Sequence, residues 1–242
     1  MSFSSIIIRW EKFWASVVQP AFYDRILLGL KNTFLIAAIG FLIGFVLGTI
    51  LAVAKLLPQN KWWAKILSKL SDVYVAIFRG TPIVVQLLVT YYFLLPVFGM
   101  KMTGLTVCEI IFGLNSAAYV CEIMRSGILS VDKGQMEAGR ALGFTWLQTM
   151  IRIILPQAVK NIIPAIGNEM IALLKETSII GWVGSTPGSL TFDLNAAADT
   201  IYRTIPNYLA SGFIVGCCYL AIVYVMVFII KLIERRLARN ER

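Results

Sequence analysis

Two stretches of the chain, residues 34–54 and 208–230, run without a single charged side chain. A helix rises about 1.5 Å per residue and a bilayer's hydrocarbon layer is about 30 Å thick, so roughly 20 apolar residues suffice to cross it. Each stretch therefore predicts a spanning helix. Three more apolar stretches are interrupted. Residues 80–98 follow Arg79 and include Pro82 and Pro96, residues 102–124 include Glu109 and Glu122, and residues 162–180 include Glu169, Lys175 and Glu176. Read as spans, these bring the total to about five. Their ionisable groups mark places where the chain faces a bundle interior or a watery path, since a charge at mid-bilayer costs about 3 kcal/mol or more. Gly40, Gly44 and Gly48 repeat every four residues on the first span, a pattern that lets helices pack closely and says little about cargo.

Between the third and fourth spans, residues 125–160 are rich in charges and helix formers and belong in water. Basic residues set the orientation. Lys55, Lys61, Lys65 and Lys69 in the first loop, Arg125, Lys133, Arg140, Arg152 and Lys160 in the long segment, and Lys231, Arg235, Arg236, Arg239 and Arg242 in the tail all fall on one side. The opposite side offers chiefly Lys101 and Arg203. The positive-inside bias then puts the long segment and the C-terminus in the cytoplasm and the N-terminus outside. Residues 1–20 are too polar for a signal peptide. Ile6, Trp10, Phe13, Trp14 and Val17 recur at helical spacing and predict a helix lying in the interface. Residues 21–242 form the transmembrane domain.

Composition agrees with this topology. The 242 residues are 58% hydrophobic and 14% charged, against about 45–50% and about 25% for soluble domains. The net charge of +9 follows from the cytoplasmic lysines and arginines, so no nucleic-acid partner is needed to explain it. No histidine is present, which excludes His-based triads and His-zinc chemistry. Cys108, Cys121, Cys217 and Cys218 lie in apolar stretches without metal-ligand spacing and read as small buried side chains. The sequence predicts no catalytic residue, no metal and no cofactor in this chain.

One cytoplasmic motif carries the chemistry. Glu137-Ala138-Gly139 is followed by Gly143, then by Ile153, Leu155 and Pro156. This resembles the EAA motif, E-A-A-x3-G-x9-I-x-L-P, of the membrane subunits of bacterial ABC importers. Every spacing matches, and the one departure is Gly139 in place of the second alanine. The pattern fits a short cytoplasmic helix stopped by a glycine that takes positive φ. Small Ala138 and Gly139 permit close approach, and Glu137 supplies an anion for a basic partner. Further stretches, Phe78-Arg79-Gly80-Thr81-Pro82, Gly113 to Tyr119, and Leu173 to Ser178, are similar to those of the polar amino acid permeases, the group of histidine, glutamine, glutamate, arginine and cystine importers.

That resemblance implies an all-α integral membrane protein of the type I importer fold, with about five spans and a cytoplasmic coupling helix, in a bacterial cytoplasmic membrane. It also implies a homo- or heterodimer of permease subunits, two ATPase subunits that bind ATP and Mg, and an extracytoplasmic amino acid binding protein. The chain has no G-x-x-x-x-G-K-[ST] run to hold nucleotide phosphates, so hydrolysis falls to another polypeptide. For the path, Asn115, Tyr119 and Glu122 lie at i, i+4 and i+7 and share a helical face. They, with Glu169 and with Thr81 beside Pro82, are the candidates for meeting a zwitterion, and Glu122 has the alternative of a structural ion pair with Arg125 or a neighbouring helix. Other cargoes, such as an opine, fit the same machinery. An ion-coupled secondary transporter would leave the motif spacing unexplained.

Overall fold

In a computed structural model of the chain, residues 7–8, 10–11, 14, 20–183, 192–204 and 208–239 are described. Among them there is no β-strand. Most of the expected N-terminal interfacial helix lies outside the described residues. Ile7, Ile8, Trp10, Glu11 and Trp14 are helical, and Trp10 and Trp14 stack at 6.5 Å, one helical turn apart.

The long helices are α1 (Pro20–Leu56), α2 (Trp62–Gly80), α5 (Gly104–Leu129), α8 (Leu155–Glu176) and α10 (Tyr208–Arg239). Short helices stand between them: α3 (Ile83–Val89), α4 (Leu95–Val97), α6 (Lys133–Ala141), α7 (Trp146–Thr149) and α9 (Leu194–Thr204). Three of these, within α1, α5 and α10, are long and apolar enough to cross a membrane on their own, and α2 with the helices after it qualifies as one broken span. Helix α8 occupies the expected fourth span, and its Glu169, Lys175 and Glu176 are the reason composition alone passes it over.

The first loop differs from the sequence expectation. Residues 62–80 form a 19-residue helix, hidden from hydropathy because Lys65, Lys69, Asp72 and Arg79 interrupt the apolar positions. Its buried face is Ala64, Ser71 and Val75, spaced i, i+7 and i+11, as one side of a helix requires. The helix stops at Gly80 because Thr81 precedes Pro82 and is driven to extended geometry, φ −124° and ψ 143°. The expected break at Thr81-Pro82 is therefore present.

Both π-helical turns, Thr90–Leu94 and Met150–Ile154, stand immediately before a Leu-Pro pair. Proline has no N–H to donate and its ring crowds the carbonyl four residues back. The chain responds by widening, with Leu95 N–H reaching Thr90 O and Leu155 N–H reaching Met150 O. The buried row after α7 records this. Thr149 and Ile154 are five residues apart, whereas Ile154, Ala158 and Ile162 follow at intervals of four.

The chain divides into two compact units. The first comprises Met1–Gly40, Val84–Ile111 and Leu173–Tyr224. Its core joins Phe192, Ala196 and Ala197 to Ile26 and Leu28, and Leu194, Ala198 and Val215 to Tyr219 and Ile222. The N-terminal end of α9 is fastened to α1 by two hydrogen bonds: Asn32 Nδ2 donates to Phe192 O at 2.9 Å, and Leu194 N–H donates to Thr33 Oγ1 at 3.1 Å. Asp193 caps α9, accepting from Ala196 N–H at 2.9 Å and Asn195 N–H at 3.2 Å.

The second unit comprises Phe41–Ile83, Phe112–Ala172 and Val225–Arg242. Its core is Ala52, Val75, Ala118 and Cys121, flanked by Leu51, Tyr74, Phe78 and Met124. The glycine repeat does the packing expected of it. A Cβ at Gly44 would lie 2.6 Å from Ser116 Cβ, and one at Gly48 would lie 2.7 Å from Ala117 O, so α1 and α5 touch backbone to backbone. Cys108 and Cys121 are buried as expected, but Cys217 is exposed on α10; it occupies a face that nothing else in the chain covers.

Candidate functional site

The motif region lies within the second unit and is built as three consecutive turns. Asp132 caps α6 by accepting from Gly134 N–H at 2.7 Å. At the other end Phe144 N–H donates to Gly139 O at 3.1 Å and Gly143 N–H donates to Arg140 O at 3.0 Å. Those two bonds are the Schellman pair, which requires a left-handed residue after the helix; Gly143 supplies it with φ 86°. Thr145 then opens α7 with a capping box, its hydroxyl accepting from Gln148 N–H while the Gln148 side chain accepts from Thr145 N–H. Four residues therefore reverse the chain and restart it as helix.

Helix α6 stands on this base through Gly139, which is buried against Thr149 and Ile153. The outer face carries Glu137, Ala138, Arg140 and Gly143, all exposed. Leu142 is 77% exposed and Leu147 58% exposed, apolar surface on a projecting helix otherwise too polar for the bilayer. Of the motif's remaining positions, Ile153 packs inward on Gly139, while Leu155 and Pro156 set the π turn.

The membrane candidates separate into three groups. Asn115 is buried and its Nδ2 donates to Phe78 O at 3.2 Å. One turn on, the Tyr119 ring lies under the Arg79 guanidinium at 5.1 Å. The polar face read from sequence is therefore turned toward the end of α2, beside Thr81, whose hydroxyl donates back to Ile77 O at 2.8 Å. Glu122, at the far end of that face, sits in an ionic network. It accepts from Lys55 Nζ at 2.6 Å and from Arg125 at 2.9 and 3.1 Å, and Lys55 also reaches Asp72 at 2.7 Å. This realises the ion pair with Arg125 that sequence left open, and adds α1 and α2 to it. Glu169 is on neither group; it accepts from the buried Ser116 hydroxyl at 2.8 Å.

Sequence reasoning missed Lys55, Asp72 and Ser116. Lys55 was counted only as a topogenic charge, though an ionisable group directly after a span is the place to look for a partner. Ser116 lay inside a run used for comparison and was not weighed as a donor.

A cavity of about 450 Å³ opens between the second-unit parts of α1, α5 and α8, lined by Phe45, Val53, Leu56, Met124, Val159 and Ile163 among others. Its one hydroxyl, Thr49, already donates to Phe45 O at 2.7 Å. A zwitterion shedding water finds no replacement there, so this cavity is not the polar site. Outside the spanning helices, Asp193 is fully buried, and burial pushes its carboxyl up to about 6 even though two backbone N–H groups favour its ionised form. Among the described residues no group of His, Cys, Asp and Glu is arranged to hold a metal ion.

Known proteins resemble this chain over most of its length. The arginine transport system permease protein of Bacillus subtilis is 38% identical over 230 residues, covering 95% of this chain and 98% of that protein. The L-cystine transport system permease protein of the same organism is 34% identical over 226 residues, 92% and 91% of the two. A crystal structure of an amino acid ABC transporter with histidines is 34% identical with a TM-score of 0.83, covering 93% of this chain and 98% of that one. Residues 44–239, from the middle of α1 to the end of α10 and including the whole motif region, match the binding-protein-dependent transport system inner membrane component family. The chain belongs to that family of inner membrane transport components.

Proposed function

We propose that this chain is the permease subunit of an ATP-driven importer for a polar amino acid, working as one of a pair of permease subunits with two separate ATPase subunits. An extracytoplasmic binding protein delivers the cargo, the N-terminus lies outside and the C-terminus in the cytoplasm. The cargo class is supported by relatives named for arginine and L-cystine. The observation that carries the mechanism is α6: a capped, glycine-stopped helix with Glu137 on its free face and Gly139 seated on Thr149 and Ile153. A rigid projection of this kind transmits force, because its base is packed side chain to backbone and its tip is free to enter a groove.

Glu137 offers the groove an anion, and Leu142 and Leu147 offer apolar area that binding removes from water. ATP and Mg belong to the ATPase partners, and this chain performs no bond-making step of its own. Along the path, Asn115 holds the Phe78 carbonyl and so orients Arg79 and Thr81, Tyr119 steadies Arg79, and Glu169 supplies an acceptor for a cargo ammonium. Glu122 closes the cytoplasmic end through its network with Lys55, Asp72 and Arg125.

The test is coupling. Glu137→Arg reverses the charge at the contact, and Gly143→Leu forces a side chain into left-handed geometry where the stop occurs. Both are expected to abolish cargo-stimulated ATP hydrolysis and transport while the permease still reaches the membrane. Full transport by both variants would refute the assignment of α6.

A further inference from the structure

We infer that the start of α2 is a binding site for anionic phospholipid headgroups. Trp62, Ile66, Leu70, Val73 and Ile77 are all exposed and spaced by three or four residues, so they form one continuous apolar face. At about 1.5 Å per residue that face is roughly 22 Å long, too long and too apolar to be left to water. Trp62, 74% exposed, stands at its beginning, where an amphipathic ring belongs at the headgroup level.

Beside it runs a second row. Lys61, Lys65 and Lys69, one helical turn apart, are all exposed, and each lies one residue before a member of the apolar row. Among the described residues no carboxylate is within ion-pair distance of these three; Lys61 Nζ lies over the Trp63 ring at 5.7 Å. The next position of the row, Asp72, is taken by Lys55 at 2.7 Å. Three uncompensated cations beside an apolar face match a lipid with an acyl chain and a negative headgroup, and each such lysine strengthens attraction to an anionic leaflet. A second copy of this chain would bring the same cations against themselves. The inference rests on the orientation proposed above, which places these lysines on the cytoplasmic side.

Tryptophan quenching by brominated lipid tests it. The full-length chain, purified with the subunits it assembles with, carries W10F, W14F, W146F and W182F so that Trp62 and Trp63 report alone. It is placed in nanodiscs of phosphatidylcholine containing either brominated phosphatidylglycerol or brominated phosphatidylcholine at equal mole fraction. The glycerol lipid should quench about threefold more effectively at 0.1 M salt, with the preference shrinking toward one at 1 M as the lysine charges are screened. K61Q/K65Q/K69Q should remove the preference and K61R/K65R/K69R should keep it. Equal quenching by the two lipids, or a preference that survives the glutamine variant, overturns the inference. So does protection from both lipids, which would mean that protein covers the face. Nanodiscs present the same lipid on both sides, so an inverted orientation would leave the quenching unchanged while altering external cysteine labelling.

Discussion

Gly139 lies so close to Thr149 that one added methyl group would come within 2.5 Å of Thr149 Cγ2 and 2.9 Å of Thr149 Oγ1. The alanine usual at this motif position therefore cannot be accommodated unless Thr149 changes too. The departure from the motif and the threonine ten residues later are one packing decision.

Gly139→Ala should accordingly lower stability by about 1–3 kcal/mol, the cost of overpacking a close contact. Thr149→Ala in the same chain should recover most of it. A double-mutant cycle on the melting temperature of the detergent-purified assembly measures the coupling. Additive effects would show that the two side chains do not compete for the same space.

The network at the end of α1 yields a second expectation. Lys55 is 10% exposed and held between Glu122 and Asp72. Glu122→Ala leaves that ammonium with one partner and strands Arg125, a loss of about 2 kcal/mol on the scale of unsatisfied buried polar groups. Lys55→Met removes a charge along with its need for partners and should cost less. Thermal unfolding of both variants distinguishes them, and an equal loss would contradict the ordering.

Asp193 predicts a pH dependence. Its carboxyl sits at about 6 when folded against an ordinary 3.8, so the folded protein holds a proton that the unfolded chain has released. The associated stability is complete below about pH 4 and declines as pH rises through about 6, by up to about 3 kcal/mol at 1.4 kcal/mol per unit. Asp193→Asn keeps a good helix cap without a charge to bury. It should melt several degrees higher than the parent at pH 7.5 and match it near pH 4. A constant difference across that range would be the opposing result.

For the path, Asn115→Leu and Glu169→Gln are expected to reduce transport per assembled complex. Asn115→Leu should also weaken assembly, because the Phe78 carbonyl loses its donor. Unchanged specific transport in both variants would remove these residues from the path. Independently, in a cysteine-free background, cysteines at positions 135 and 60 should resist an impermeant external reagent, while those at 103 and 195 react. All four residues are exposed in the structure, so side of the membrane alone decides the result.

What the sequence disclosed followed from local chemistry. Uncharged runs marked α1 and α10, the motif located α6 and its glycine stop, and Thr81-Pro82 marked the helix break. Residues 62–80 escaped because a helix that buries only Ala64, Ser71 and Val75 shows no long apolar run. The partners of Glu122 and Asp193 escaped for another reason. Lys55 is 67 residues from Glu122, and Asn32 is 160 residues from Phe192, and nothing in local periodicity encodes which distant turns meet. The polar face of Asn115, Tyr119 and Glu122 was visible as a face, but its orientation toward the end of α2 needed the packed structure.

The π turn at Met150–Ile154 gives the motif's x9 interval a different meaning. Thr149 must point at Gly139, and Ile154, Ala158 and Ile162 must point into the second unit. The five-residue step between Thr149 and Ile154 is what reconciles the two directions. Deleting one residue there would restore an ordinary turn and rotate everything beyond it by about 100° relative to α6. The stretch between Gly143 and Ile153 thus acts as a ruler: its letters are free to drift, its length is not. Substitutions within it should be widely tolerated, whereas a single insertion or deletion should be as damaging as the loss of Gly143 itself.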